Sequence, residues 1–316
     1  MTFRPVTRRR VLSAGAASLL AGCVGGTDST GEETDTATPL TVAVGDLIET
    51  SSFSFVLRGV TKTTALTDTR QASRGNTYVV LRFAARNTSD EIVHWFPRIE
   101  PYIADGKGNT YYLADATTTH GLPKNHDLLP GEVSRGDVVY EVPETAQNLT
   151  YSLDFSNRSE VALSTVSIDL EATVTPVADL EQSLKTVHPL GEAVSNNDVR
   201  VTVTDVRTAT ELGELTAKES HEFVLPTLEL TNDRSDSIPI TPLWNIRLKR
   251  ANGLVATADL AAWASLRNGF EEGRIDAGAT ERGELAFHVP IDRDACYFMF
   301  DWYNLDAEYA KAFWML

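Results

Sequence analysis

The sequence predicts an all-β chain, two tandem antiparallel β-sandwiches behind an export leader and a flexible tether. Three observations carry this. The second half repeats the first in several blocks at offsets of 145–147 residues. Apolar residues in both halves alternate with the period of two that half-buried strands show. Turn chemistry such as Asp105-Gly106-Lys107-Gly108 and Ala251-Asn252-Gly253 separates the runs. At 316 residues the chain also exceeds what one core usually supports, about 250 residues. Only Ala258–Leu266 suggests a helix, and a short one.

In chain order the organisation is a signal peptide (1–22), a lipidated cysteine with a disordered tether (23–39), sandwich one (40–175), a short linker (176–185) and sandwich two (186–316). The leader places Arg8-Arg9-Arg10-Val11-Leu12 before a short apolar run that ends Leu19-Leu20-Ala21-Gly22-Cys23. A cationic start, a short apolar middle and small residues at the cleavage point make a secretory signal, too short to span a bilayer stably. Arg8 and Arg9 resemble a twin-arginine export signal, and Leu-Ala-Gly-Cys resembles a lipobox with Cys23 as the lipidated residue. An ordinary secretory peptide with a chance cysteine is the alternative. Residues 24–39 hold one apolar side chain larger than Ala or Pro, Val24, too little to offset the entropy of ordering.

Cleavage before Cys23 removes four arginines and no acid, leaving 24 bases against 44 acids and a net charge of −20. With the leader motifs, such an acidic surface resembles a surface lipoprotein of a salt-loving archaeon, where salt screens the repulsion. A mesophilic bacterial lipoprotein is the competing reading. The intact chain, at −16, offers no cationic surface for nucleic acid. Its two cysteines exclude a disulfide scaffold, an iron–sulfur protein and a four-cysteine zinc site.

The repeat sets the strands. Leu47, Phe53, Phe55, Leu57 and Val60 fall on Ala193, Val199, Val201, Val203 and Val206. Phe53, Phe55 and Leu57 alternate with Ser54, Val56 and Arg58, so the first set faces inward. Tyr78–Ala85 is too apolar for one solvated face and reads as a central strand, matched from Phe223 onward. Pro130-Gly131 to Pro143 matches Ala277-Gly278 to Pro290, and Leu149, Tyr151 and Leu153 match Cys296, Phe298 and Phe300. Leu163, Val166 and Ile168 form the last strand, with Ala310, Phe313 and Met315 as counterparts. In the linker, Leu180 and Leu184 at helical spacing suggest a brief amphipathic turn resting on one domain.

Val44-Gly45-Asp46, Asn87-Thr88-Ser89-Asp90, Asp105-Gly106-Lys107-Gly108 and Pro130-Gly131 to Val142-Pro143 together resemble a family of extracellular immunoglobulin-like domains. These occur in bacterial and archaeal lipoproteins and are related to a secreted mycobacterial immunogenic protein. The resemblance covers residues 40–170 and, more faintly, 186–316. It implies an immunoglobulin-like sandwich outside the cell and no particular activity. The cysteine pair of antibody domains is missing, because Cys296 has no partner once Cys23 carries lipid.

No nucleophile elbow, zinc helix, phosphate loop or dinucleotide fingerprint occurs, so no enzyme and no cofactor are expected. His120 and His126, near Asp115 and Asp127, are the only cluster with metal-ligand chemistry, against an ordinary polar loop. His221-Glu222 reads as a solvated edge, and Asp105–Asn109 as a hairpin turn without calcium spacing. Asn87, Asn148 and Asn157 head glycosylation sequons. Asn232 and Asn304 keep the first and third without the following Ser or Thr, which favours a turn role at those positions. Trp244 and Trp302 are expected in the core, and Trp95 and Trp263 as possible contacts in longer connections. Thr61–Asn76 and Arg207–Glu222 share almost nothing, and Asp115–Leu129 differs from Asp259–Asp276. Partner contact is expected there, because loops diverge while cores stay constrained. The expected partners are the membrane, through the lipid anchor, and another surface protein or envelope component.

Overall fold

The computed structural model describes residues 10–11, 38–94, 101–116, 118, 127–155, 163–291, 295–303, 305 and 311–316. Arg8, Arg9, Cys23, Trp95, His120, His126 and Asn157 lie outside them. The chain divides into two units, Met1–Leu180 and Glu181–Leu316.

Each unit is a β-sandwich. In the first, one sheet runs Arg10–Val11, Leu47–Glu49, Phe53–Thr63, Asn76–Asn87 and Val133–Pro143, antiparallel except at Arg10–Val11. The other runs Thr110–Tyr111, Tyr102–Ala104, Thr150–Asp154, Leu163–Thr173 and Thr38–Val44, the last pair parallel. Between them lie Phe53, Phe55, Leu57, Val79, Leu81, Phe83, Tyr151, Leu153, Val166 and Ile168. In the second unit Ala193–Asn196, Val199–Ala209 and His221–Asn232 form one sheet, closed by Thr280–Glu284 and Phe287–Pro290 on the same neighbour. Val255–Ala256, Ile246–Arg250, Cys296–Asp301 and Lys311–Met315 form the opposite sheet.

The duplication reaches irregular details. A β-bulge falls between Leu57 and Gly59 in one unit and between Val203 and Asp205 in the other, 146 residues on. A bulge bends its strand and sharpens the twist, so a shared bulge means shared sheet curvature.

Four expectations need correction. Val56 and Ser54 are buried although they point away from the main core. Val56, Ala84 and Val133 on that outer face are capped by Leu180, with Leu47 and Ala178 beside it. The linker is therefore a strap, and it contains no helical turn. Its polar groups are committed elsewhere. Ala178 N–H donates to Gly45 O at 2.9 Å and Val174 N–H to Val44 O at 2.9 Å. Arg135 donates to Leu180 O at 2.9 Å and to the Asp179 carboxylate, and Arg58 lies 3.4 Å from Asp179. Without i→i−4 partners a helix cannot start here. Limited proteolysis of the folded chain is expected to spare Ala178–Leu180, and Asp179→Ala to make that stretch the first site cut; wild-type cleavage there at the same rate would refute the clamp.

The third correction concerns register. Ala312 and Trp314 face the second core, whereas Met315 is exposed. Ile168 therefore corresponds to Trp314 at offset 146, not to Met315. A slip of one residue turns a strand's side chains to the opposite face, so this small misalignment reversed the assignment. The fourth is Trp244, which is 52% exposed on the four-residue helix Pro242–Asn245. Trp302, in contrast, is fully buried, and its Nε1–H donates to Val199 O at 3.1 Å.

Candidate functional site

The connections that diverged most between the repeats come together on one sheet face in each unit. In the second unit the hairpin Glu211–Leu212/Leu215–Thr216 and the helix Leu260–Ala264 close over the outer side of the sheet. Leu212, Phe223, Leu225, Ala262 and Ala286 form a small satellite core there, with Leu215, Trp263 and Leu266 packed around it. Asp259 caps the helix by accepting Ala262 N–H at 3.0 Å, which satisfies a donor that the first turn would otherwise orphan.

Seating this element breaks a strand. Val133–Pro143 is continuous in the first unit, but its counterpart stops at Glu284 and resumes at Phe287. Glu284 N–H turns to Asn268 O (2.7 Å), Phe270 N–H donates to Glu284 O (2.9 Å), and Asp259 N–H donates to Ala286 O (2.8 Å). The inserted chain lies so close that a Cβ on Gly283 would sit 2.3 Å from the Phe270 backbone. Only glycine permits that approach.

The first unit covers the equivalent sheet face with unrelated connections and without breaking its strand. Leu66 of the hairpin Ala65–Thr67/Arg70–Gln71, and Ala72 just after it, meet Ala114 and Ala116 over Tyr78, Val80 and Val139. Tyr78 Oη donates to Gln71 O at 3.0 Å, Ala114 N–H to Val139 O at 2.8 Å, and Arg70 to Asp115 O. Both assemblies leave large apolar side chains outside: Tyr112 (66% exposed) and Leu113 on the first, Leu260 (56%) and Ile291 on the second.

The residues singled out from the sequence divide as follows. Trp263 is half-buried between the main and satellite cores, and its Nε1–H donates to Phe270 O at 3.0 Å. Its ring supports the helix whose Leu260 is exposed. Asn87 is fully buried. Its Nδ2 donates to Glu91 O at 2.6 Å and Leu128 O at 2.7 Å, and its Oδ1 accepts Ser89 N–H at 2.8 Å. The amide nitrogen that a glycan would need is thus enclosed, and the folded domain excludes modification at Asn87. Asn148 is exposed at a left-handed turn position, φ 54°. The Asp105 carboxylate accepts from Lys107 N, both nitrogens of Asn109 and Tyr111 Oη, all at 2.9–3.0 Å. The Asn109 amide foremost holds its pKa down to about 2, against the opposing effect of desolvation. These bonds close a hairpin turn. Among the described residues no group of three or more His, Cys, Asp or Glu side chains is placed to hold a metal. No helix among them is long and apolar enough to cross a membrane.

One pairing escaped the sequence reading. The rings of His221 and His288 stand 4.9 Å apart. Sixty-seven positions separate them in the chain, and only the register His221↔Pro290 and Phe223↔His288 brings them together.

A family model described as a domain of unknown function, DUF4352, matches residues 42–162 and 188–304. No curated protein matches the chain. Among solved structures, a conserved hypothetical protein from Bacillus anthracis is 15% identical, covering 38% of this chain and 93% of its own, with a TM-score of 0.32. An uncharacterised β-sandwich protein from Clostridium difficile is 13% identical over 43% of this chain and 99% of its own, TM-score 0.29. A Bacillus subtilis protein described as "a putative lipoprotein" is 12% identical over 38% of this chain and 37% of its own, TM-score 0.30.

Proposed function

This chain belongs to the DUF4352 family, whose domain it carries twice, and from that premise we propose an exported, membrane-anchored lipoprotein that acts as a non-enzymatic binding or scaffolding module. Twin-arginine export through Arg8 and Arg9, lipidation of Cys23 with loss of the leader and its edge strand Arg10–Val11, and a tether through residue 39 put the two sandwiches at the outer cell surface. Its acidic composition suits a salt-rich exterior.

The observation that carries the binding reading is the convergence described above. Two copies of one fold have kept their bulges, their buried asparagines and the apolar floor of one outer sheet face, yet each covers that face with different connections. Packing alone explains the satellite cores. It does not explain why each assembly ends in exposed large apolar side chains, Tyr112 and Leu113 or Leu260 and Ile291. Such groups on a rigid, sheet-backed platform are suitable anchors for another envelope protein.

The test uses the full chain on intact cells. Cys23→Ser is expected to release the protein from the membrane. Tyr112→Ser with Leu113→Ser, and separately Leu260→Ser, are expected to abolish crosslinks to neighbouring surface proteins without lowering the melting temperature, since exposed substitutions usually change stability by less than about 0.5 kcal/mol. Crosslinks that persist when all three substitutions are combined in one chain would refute the contact surface.

A further inference from the structure

We propose that His288 is an acid-released latch that holds the Lys218–His221 turn, and with it the hairpin of the second unit, against the strand Phe287–Pro290. Its Nε2 accepts the backbone N–H of Lys218 at 3.1 Å. A backbone N–H can only donate, so Nε2 carries the lone pair and the neutral ring keeps its proton on Nδ1. Protonation would turn the acceptor into a second donor facing Lys218 N–H, and the bond would be lost.

The surroundings oppose that proton. His221 faces the ring from the neighbouring strand at 4.9 Å, and Phe223 packs beside it at 5.2 Å. Lys218 brings its ammonium from the turn, while Asp259, at the start of the helix Leu260–Ala264, acts in the opposite sense. One Asp259 oxygen already accepts Ala262 N–H. Desolvation, then the His221 charge, hold His288 below the ordinary histidine value of 6.5. His221 is fixed in place by its own Nδ1–H, which donates to Glu219 O at 3.0 Å.

The turn is short and closely bound. His221 N–H donates to Lys218 O at 2.9 Å, Ile291 N–H donates to Ser220 O at 3.0 Å, and Ser220 adopts φ 60°. Beyond it, Leu215 and Ala217 rest on the satellite core. Losing the histidine contact therefore loosens a segment that continues directly into the hairpin. The sign follows from linkage. A group with a depressed pKa in the closed form takes up a proton on opening, so the latch is intact above pH 6.5 and weakens as pH falls from 6.5 toward the closed-state pKa. One proton is taken up on opening, so the effect in that window is bounded at about tenfold per pH unit.

Amide exchange of the full chain, corrected for the intrinsic pH dependence of exchange, tests the latch. The opening equilibrium at Lys218 and across Glu211–Ser220 should rise as pH falls from 6.5 toward the closed-state pKa, by no more than about tenfold per pH unit, and then level off. His288→Gln keeps an acceptor that does not titrate, and should remove that slope. An equal slope in wild type and H288Q would overturn the proposal. Imidazole ¹⁵N spectra of the wild type test it without any variant. Nε2 should be unprotonated at pH 8 and His288 should titrate below 6.5, whereas an Nε2–H tautomer at pH 8 would also overturn it.

Discussion

Trp302→Ala is expected to cost about 3–5 kcal/mol, a large fraction of the stability of a domain this size. The indole is fully buried, meets Phe300 edge-on at 4.7 Å between ring centroids, and donates to Val199 O at 3.1 Å. Truncation leaves a cavity and removes a buried hydrogen bond to the strand Val199–Ala209. For a domain of this length the melting transition of the second unit should fall by roughly 10–20 °C. Trp302→Phe should recover much of the packing but not the hydrogen bond. Trp244→Ala, at the exposed tryptophan, should shift the transition little. Calorimetry on the three variants separates the roles; equal shifts for Trp244→Ala and Trp302→Ala would contradict this assignment of the core.

Asn232→Ala should be comparably damaging although it removes only one amide. Its Nδ2 donates to Asp236 O, Ile275 O and Asp276 O at 2.8–3.1 Å, and its Oδ1 accepts Arg234 N–H at 3.1 Å. Its backbone pairs with Ala279 O and Gly278 N–H. One side chain thus ties the end of the long strand His221–Asn232 to the turn that follows it and to the segment Ile275–Asp276. Each stranded buried group costs about 1–3 kcal/mol, so a loss of about 3–5 kcal/mol is expected. Asn232→Asp keeps the shape but aims a carboxylate oxygen at two or three carbonyls, and should be worse than alanine. Asn87→Ala should reproduce the loss in the first unit, where the same knot joins Glu91 O and Leu128 O. Denaturant midpoints of the four proteins check this. A milder effect for aspartate than for alanine would rule the knot out.

These two residues also show what the sequence revealed. Asn87 and Asn232 were legible as turn formers because the duplication kept the asparagine while one copy lost its sequon. Phe55 and Val201 were legible from alternation and Trp302 from the usual burial of large aromatics, and the unusual apolarity of Tyr78–Ala85 was a sound sign of a strand covered on both faces. What covered it was not legible. The Asp179 clamp needs Arg58 and Arg135 from two different strands, and no local pattern encodes that meeting. The last strand was misread by one residue because Phe313, Trp314 and Met315 are all large and apolar, so hydrophobicity alone could not choose the face. Trp244 was assigned to the core from the usual fate of its residue type, but a four-residue helix starting at Pro242 turns it outward. The divergent connections were identified as the place to look. That both fold onto the same sheet face, and that His221 meets His288 there, depends on cross-strand register between distant segments.

The contact surface is the central claim, and site-specific photocrosslinking on intact cells tests it most directly. A photoreactive residue at Tyr112 or at Leu260 should capture a discrete surface partner, and the same residue at Asp169, exposed on the opposite sheet of the first unit, should not. Capture from Asp169 with none from Tyr112 and Leu260 would contradict the account.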